Sequence, residues 1–502
     1  MSPRSCLFLI LILLAGCSSG GPHRTSWLRP CRVPGVGFEA RCGAYEVFED
    51  RDARAGRKIG LHVVVLPAHG ATPAPDPIFY LDGGPGGAAT EAAADLVEAL
   101  GPALEDRDLV LIDQRGTGAS NPLDCDLSGP MEDLFQREAL RRCRETLERT
   151  AGLTLYTTPV AMGDLDEIRQ ALGYERINLL GASYGSQAAL VYMRSHPSAV
   201  RSAVLVAAGP VGLSSLYVAR DMQRALDLLL ADCAADPACR SAFPDVRAEL
   251  SALIRRLEAE PARVEIADPE SGEPVTVVLT ADLLRLTLPY RLYSPGPAAR
   301  IPLSIHKASQ GDLRELARVA LVVRRSLWGG ESQGMTLSIN CALPADEPSP
   351  EQVAEATRGT LLGDLRVRLD REYCALWPRA EMPPGYSDPV RSDVPTLLLT
   401  GDRDPVLPPV WAEEVARHLP NGRLVVIPNA SHFPVNDCTR SLIAGFLAAG
   451  SAERLDTACV PASPRTPFAL TPRPPLPSPG EGEKNISYPI PPLPVTGEGA
   501  RG

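Results

Sequence analysis

Short apolar runs alternate with amphipathic stretches along most of the chain. The runs are rich in Val, Ile and Leu and lack a strict alternation of polar and apolar positions, which is typical of strands covered on both faces. Helical spacing appears between them at residues 163–172 and 187–195. The pattern predicts an α/β fold with a mostly parallel sheet flanked by helices. The predicted strands are residues 61–66, 78–81, 109–112, 177–180, 203–206, 396–400 and 424–427.

Helix-like segments replace the strand-like runs between about residues 209 and 388. We interpret this interval as a largely helical cap that is inserted into the sheet domain and lies over its strand ends. The predicted organisation is a signal segment at 1–16, a core in two parts at 17–209 and 389–460, a cap at 210–388 and a tail at 461–502.

The predicted tail differs in composition from the rest of the chain. Residues 461–502 contain 12 of the 50 prolines, together with many Gly, Ser and Glu residues. Such a composition does not bury a core, so the whole tail is expected to be disordered and no chemistry is assigned to it.

The first residues have the features of an export signal. Arg4 is followed by an apolar run at residues 7–14, which is too short to span a bilayer. The run ends in Leu14-Ala15-Gly16-Cys17, which resembles the lipobox of bacterial lipoproteins. The resemblance implies that residues 1–16 are removed and that Cys17 carries a lipid anchoring the protein to a membrane. The alternative is an ordinary signal peptide with an incidental cysteine.

Besides Cys6 and Cys17, the chain contains ten cysteines, an even number that in an exported protein indicates disulfides. The sequence does not fix the connectivity, but pairing neighbours closes five short loops. The alternative is a metal site, which is disfavoured because no Cys-x-x-Cys occurs and no histidine has ligand spacing, so no metal is expected. The candidate pairs are Cys31 with Cys42, Cys125 with Cys143, Cys233 with Cys239, Cys341 with Cys374, and Cys438 with Cys459.

The net charge of −11 argues against a nucleic-acid binder, which ordinarily has a basic face. No cofactor motif is apparent. The charge favours solubility and does not indicate an oligomeric state.

The segment Gly181-Ala182-Ser183-Tyr184-Gly185 joins a predicted strand to a predicted helix. Gly-x-Ser-x-Gly at such a junction is typical of a nucleophilic serine on a tight turn, where larger residues two positions away would collide. The alternative is an ordinary glycine-rich turn. We identify Ser183 as the candidate nucleophile.

A serine hydroxyl needs a base, and His432 is the best-placed of the seven histidines because it follows the last predicted strand. The acid that orients it is expected after the preceding strand, where Asp402 and Asp404 both occur. Either aspartate has an alternative interpretation as a turn carboxylate or a partner of Arg403. We favour Asp404, because Pro405 restrains it and the order Ser…Asp…His suits this architecture.

Two backbone N–H groups are candidates to bind an oxyanion. One belongs to Tyr184, next to the candidate nucleophile, and the other to Gly84 in the glycine-rich segment at residues 82–87. A phosphate-binding loop is disfavoured because no Lys-Ser/Thr pair follows. Asp113 and Arg115, after another strand, are expected to form a structural ion pair with each other.

Together these segments resemble the prolyl aminopeptidases, and within them the secreted tripeptidyl-aminopeptidase-like enzymes. The resemblance implies an α/β-hydrolase fold, peptide substrates with a free N-terminus, and a cap that recognises the amine through carboxylates. Asp82 replaces the usual histidine and Tyr184 the usual tryptophan, so strict proline specificity is not expected. The resemblance rests on residues 83–86, 113–120, 181–185 and 404–408, on the later His432, and on Asn340-Cys341.

The sequence therefore predicts an exported serine hydrolase, an aminopeptidase acting through an acyl-enzyme. An esterase or lipase of the same fold is the first alternative, since both reactions use the same tetrahedral intermediate. A non-catalytic envelope lipoprotein is the second. An epoxide hydrolase is disfavoured because the turn bears a serine in place of a carboxylate.

Overall fold

The computed structural model describes residues 26–471, apart from 128, 131, 330 and 344–347. The predicted export signal, the lipidation candidate Cys17 and residues 472–502 lie outside the described residues.

The core is a nine-stranded sheet. Its strands are β1 (Arg29–Cys31), β2 (Ala40–Phe48), β3 (Lys58–Leu66), β4 (Ile78–Leu81), β5 (Leu109–Ile112), β6 (Ile177–Ala182), β7 (Val200–Val206), β10 (Thr396–Gly401) and β11 (Gly422–Ile427). They lie in the order β1-β2-β3-β5-β4-β6-β7-β10-β11. The first three strands run antiparallel to their neighbours, and all pairings from β5 to β11 are parallel. The carboxyl ends of the six parallel strands therefore meet at one edge.

All seven predicted strands are present, and the fold is the predicted α/β-hydrolase architecture. The sequence pattern missed β1 and β2 at the edge of the sheet. Residues along β2 alternate between buried and partly exposed, and the strand includes charged side chains such as Arg41 and Glu46. An edge strand covered on one face lacks the continuous apolar run that identified the others.

Helices cover both faces of the sheet. The core helices are α1 (Ala93–Leu100), α2 (Arg137–Leu147), α3 (Thr158–Leu172), α4 (Tyr184–Ser195), α15 (Pro409–Ala416) and α16 (Asp437–Ala449). Neighbouring residues of one strand point into opposite layers. Phe79 packs into the layer of α3 and α4, whereas Ile78 and Tyr80 pack into the layer of α1 and α16. These layers hold the sheet edge rigid.

The chain leaves the sheet after Val206 and returns at Thr396, and the predicted cap at 210–388 falls within this interval. The interval is mainly helical. Its helices are α5 (Val218–Ala235), α6 (Pro237–Ala242), α7 (Val246–Ala259), α8 (Ala281–Thr287), α9 (Pro295–Ala298), α10 (Ile301–Ser309), α11 (Arg314–Gly329), α12 (Gln333–Ala342), α13 (Pro350–Thr357) and α14 (Leu365–Leu376).

The cap also contains an antiparallel hairpin that the sequence analysis did not predict. It consists of β8 (Ala262–Ala267) and β9 (Pro274–Leu279). Val264 and Ile266 alternate with exposed residues and pack against Leu321 of α11. The alternation of apolar and polar residues could have indicated a strand, but the helix-like segments on both sides led to a prediction of helix for the whole interval.

Five disulfides join the same neighbouring cysteines that the sequence analysis paired. Disulfides persist in oxidising compartments, so the five bonds indicate an extracytoplasmic protein. The bonded pairs are Cys31 with Cys42, Cys125 with Cys143, Cys233 with Cys239, Cys341 with Cys374, and Cys438 with Cys459.

The described residues also provide information about metal binding and membrane spans. Among the described residues, no group of three or more His, Cys, Asp or Glu side chains is arranged to hold a metal ion. Within the same residues, no helix has the length and apolar character needed to cross a bilayer.

The expectation that disorder begins at residue 461 is wrong for residues 461–471. This segment lies against the cap, and the Phe468 side chain is buried in the main hydrophobic core. The composition of the whole tail concealed this one aromatic anchor. The remaining residues of the predicted tail lie outside the described part of the chain.

Candidate active site

Ser183 lies at the sharp turn between β6 and α4. Its backbone has φ 56° and ψ −121°, a conformation that residues other than glycine rarely adopt. A Cβ on Gly185 would overlap the backbone of Leu81, and one on Gly181 would overlap the backbone of Gly185. The spacing of the two glycines is therefore a steric requirement of the turn. The turn presents the Ser183 hydroxyl at the carboxyl edge of the sheet.

The structure brings Ser183, His432 and Asp404 together in one hydrogen-bonded chain. His432 Nε2 lies 3.0 Å from Ser183 Oγ, and His432 Nδ1 lies 2.8 Å from Asp404 Oδ2. His432 lies in the loop after β11, and Asp404 follows β10. Strands that are distant in sequence thus deliver the three side chains to one edge.

The Asp404 carboxylate is held in place by its own loop. Its Oδ1 accepts hydrogen bonds of 2.8 Å from the N–H groups of Val406 and Leu407, which leaves Oδ2 for the imidazole. The residue has no exposed surface. Asp402, the alternative, lies with Oδ1 3.6 Å from Arg403 Nε, and its backbone carbonyl accepts from Arg224. The geometry favours Asp404 as the partner of His432.

The glycine-rich segment after β4 lies against the serine. A Cβ on Gly83 would be 3.3 Å from Ser183 Cβ. The Gly83 N–H donates to Asp82 Oδ1, so the next N–H along the segment, that of Gly84, is the better candidate donor. Tyr184 is the first residue of α4, where backbone N–H groups have no acceptor within the helix. The two candidate oxyanion donors thus flank Ser183.

Asp82 is a half-buried carboxylate at the start of this segment. The Tyr80 hydroxyl donates to its Oδ1 at 2.7 Å, and the Gly83 N–H donates at 2.8 Å. Burial raises the pKa of Asp82 even though both hydrogen bonds favour its charged form. The residue that departs from the family pattern therefore places a carboxyl group at the start of the glycine-rich segment.

Glu331, between α11 and α12 of the cap, is a second carboxylate at this site, and the sequence analysis did not single it out. Its Oε2 lies 3.0 Å from the position of a Cβ built on Gly84. Burial, with a smaller contribution from the negative charge of Asp82, raises the pKa of Glu331 to about 8. The cap contains many acidic residues, and no local sequence pattern distinguishes Glu331 from the others.

Two tyrosines and an ion pair of the cap lie on the other side of the site. The Tyr293 ring packs edge-on against His432 with centroids 5.0 Å apart, and Tyr290 stacks on Tyr293 at 5.2 Å. Arg366 Nε donates to Asp370 at 3.1 Å, and this carboxylate raises the pKa of the guanidinium. The Arg366 side chain is 31% exposed, so water reaches this ion pair.

The predicted ion pair between Asp113 and Arg115 is wrong. Arg115 pairs with Asp164 of α3 through two hydrogen bonds of 2.6 and 3.0 Å. Asp113 accepts from the N–H and hydroxyl of Thr90, which follows the glycine-rich segment. The loop after β5 directs the two side chains to different parts of the fold, so each has a separate partner.

Comparisons with known proteins agree with this fold. Residues 76–258 match the family model described as alpha/beta hydrolase fold, and residues 362–459 match the model described as TAP-like protein. Serine protease Hip1 of Mycobacterium tuberculosis is 25% identical over 520 residues, covering 91% of this chain and 96% of that protein. The tripeptidyl aminopeptidase of Streptomyces coelicolor is 25% identical over 435 residues, covering 77% of each chain.

The similarity to Hip1 therefore extends through core and cap together, and the TAP-like match covers α14 and the second part of the core. The chain is a serine hydrolase with the α/β-hydrolase fold and belongs to an α/β-hydrolase peptidase family.

Proposed function

We propose that the protein is an aminopeptidase that cleaves peptides near a free N-terminus, with Ser183, His432 and Asp404 as its catalytic triad. The observation that carries the proposal is the hydrogen-bonded chain of these residues, together with two carboxylates, Asp82 and Glu331, at the glycine-rich segment that lies against Ser183. The triad performs acyl transfer, and the carboxylates suit a cationic substrate group.

The first half of the reaction forms an acyl-enzyme. His432 Nε2 accepts the Ser183 proton while Oγ attacks the scissile carbonyl carbon, and the N–H groups of Gly84 and Tyr184 bind the resulting oxyanion. His432 then donates this proton to the leaving amine as the C–N bond breaks. Asp404 orients the imidazole and stabilises its cationic form. The second half repeats these steps with water and releases the acyl part as a carboxylic acid.

Glu331 is the proposed binding partner of the substrate ammonium group. It belongs to the cap, it lies against Gly84 of the oxyanion segment, and it lies close enough to Asp82 for that charge to affect its ionisation. Its carboxyl group is largely protonated in the free site below pH 8, and an adjacent ammonium favours its charged form. An esterase for apolar acyl groups has no use for a carboxylate there.

Parallel assays distinguish the peptidase from its alternatives. We expect hydrolysis of aminoacyl and short peptidyl arylamides, slower hydrolysis of the same compounds with acetylated N-termini, and loss of both in Ser183→Ala. Hydrolysis of short-chain esters without hydrolysis of free-amine arylamides would identify an esterase. Failure of a fluorophosphonate probe to label Ser183 would indicate a non-catalytic envelope protein.

The proposed location is the extracytoplasmic side of a membrane, with the chain anchored through lipid on Cys17. The lipobox-like sequence before Cys17 supports this proposal, and the five disulfides agree with export. Peptides that reach the cell envelope are then the available substrates.

A further inference from the structure

The segment at residues 463–469, which we call the C-terminal clasp, starts from a fixed point on the core. The disulfide between Cys438 of α16 and Cys459 ties down the chain just before it. Val460 packs against the core layer that contains α16. The clasp therefore begins at a defined position and then crosses to the cap.

Three contacts attach the clasp to the cap. Arg465 Nη2 donates to Asp236 Oδ2 at 2.8 Å, and the guanidinium lies 4.2 Å from the centroid of the Phe468 ring. Phe468 is 8% exposed and packs into the hydrophobic core that includes cap residues. The Ala469 N–H donates to the Ala299 carbonyl at 3.2 Å. The ion pair, the buried aromatic ring and the backbone hydrogen bond together give the clasp a defined position on the cap.

A further contact attaches the clasp to the loop that bears His432. Asn429 Nδ2 donates to the Ser463 carbonyl at 3.0 Å, and Asn429 is three residues before His432. Clasp, cap and this loop together line one small, partly open pocket of about 40 Å³, whose walls include Phe468, Leu292 and Ser431.

Both sides of the contact between Tyr293 and His432 are thus held by the same segment. Tyr293 lies next to Leu292 and six residues before Ala299, and His432 follows Asn429 and Ser431. We propose that the clasp is a positioning element, which fixes the cap segment bearing Tyr293 against the His432 loop and thereby sets the geometry of the substrate recess. The proposal rests on the proposed catalytic role of Ser183 and His432.

Two truncations test the clasp. A chain ending at residue 471 keeps it, and a chain ending at 462 lacks it. We expect the longer chain to match the full-length protein. In the shorter chain, we expect kcat/KM for peptidyl arylamides to fall by about 10- to 100-fold, mainly through KM. Hydrolysis of a small acetate ester, which makes few contacts with the cap, should change much less.

Point variants separate positioning from folding. Phe468→Ala should reproduce the shorter chain, while Leu470→Ala is the matched control because Leu470 is 38% exposed in the same segment. Phe468→Leu and Arg465→Lys should restore most of the peptide activity. Rates are normalised to the fraction of enzyme that a fluorophosphonate titrates. If the ratio of peptide to ester activity is unchanged in the shorter chain, the clasp has no positioning role.

Hydrogen exchange tests the clasp independently of catalysis. Backbone amides in Leu288–Tyr293 should exchange faster in the chain ending at 462 than in the chain ending at 471. Equal exchange would overturn the proposal even if Ser183 proves to be the nucleophile. Conversely, an unlabelled Ser183 in the full-length chain would refute the proposed function and leave this measurement valid.

Discussion

At the residue scale, the surroundings of each carboxylate decide what it can do. Asp404 is buried, but two backbone N–H groups and the imidazole of His432 stabilise its charge. Glu331 is half-buried near another carboxylate, and desolvation raises its pKa to about 8. We therefore propose different roles for the two carboxyl groups, with Asp404 orienting a base and Glu331 binding an incoming cation.

Asp404→Asn should lower kcat for peptide arylamides by about 10⁴-fold, because an amide stabilises the wrong imidazole tautomer. Asp402→Asn is the matched control in the same loop and should retain nearly full turnover. Steady-state kinetics on both variants, with circular dichroism to verify folding, provides the measurement. Equal losses in the two variants would reject the choice of Asp404.

Glu331→Gln should abolish a pH dependence that only free-amine substrates show. Because the pKa of Glu331 is about 8, its charged fraction grows by about 50-fold as pH rises from 6 to 8, while the substrate amine loses about half of its charge, so binding of the ammonium should strengthen by about 20-fold over this range. The rate relative to an N-acetylated substrate, which cancels titrations common to both, reports this rise. Asp82→Asn removes a like charge and should move the rise to lower pH. A rise that persists in Glu331→Gln contradicts the assignment.

At the element scale, buried polar links hold the loops of the active edge. Arg115, in the loop after β5, has no exposed surface and reaches Asp164 of α3 as well as the carbonyls of Glu49 and Leu155. Asp113 of the same loop holds Thr90 beyond the glycine-rich segment. The segment that carries Gly84 therefore rests on side chains from a neighbouring strand.

Arg115→Met should destabilise the protein by about 3 kcal/mol, because it leaves Asp164 buried with one of its two arginine partners removed. Arg57→Met is the control, since the Arg57 side chain is 42% exposed and its contact with Glu49 is 3.4 Å long. We expect less than about 1 kcal/mol there. Urea unfolding followed by fluorescence measures both. Similar midpoints for the two variants would show that the buried pair contributes no more than a surface pair.

At the scale of the whole molecule, the proposed site has two parts. The edge of the sheet carries Ser183, His432 and Asp404, and the cap packs against this edge. The cap contributes Glu331 and the tyrosines, and the C-terminal clasp joins it to the loop of His432. Neither part alone contains a complete site. Loss of activity is therefore expected from changes at the junction as well as from changes at the triad.

Cys17→Ser should release the protein from the membrane fraction while leaving its arylamide activity intact, because Cys17 is not among the residues proposed to act in catalysis or binding. Cys6→Ser, within the same segment, should remain membrane-bound and serves as the control. Fractionation with metabolic labelling by a fatty acid provides the measurement. Membrane association of Cys17→Ser equal to that of the unmodified protein would refute the anchor.

The sequence by itself was enough to predict the parallel strands and the helical cap. It also identified Ser183 and His432 as a candidate pair. Continuous apolar runs and a turn that tolerates only glycine are local requirements, so they leave local patterns in the chain. It also indicated which cysteines pair, since each cysteine bonds to its neighbour along the chain. It favoured Asp404 without excluding Asp402, and it missed β1, β2 and the cap hairpin.

Three features were decided only by the tertiary structure. Glu331 is the cap carboxylate that lies against the glycine-rich segment, Arg115 pairs with Asp164, and Phe468 anchors the clasp. These facts depend on contacts between residues far apart in the chain, Gly84 with Glu331 or Asn429 with Ser463. A side chain's sequence neighbours do not record such contacts. The direction in which a side chain points, and hence its charge state and role, is fixed only when the distant segments meet.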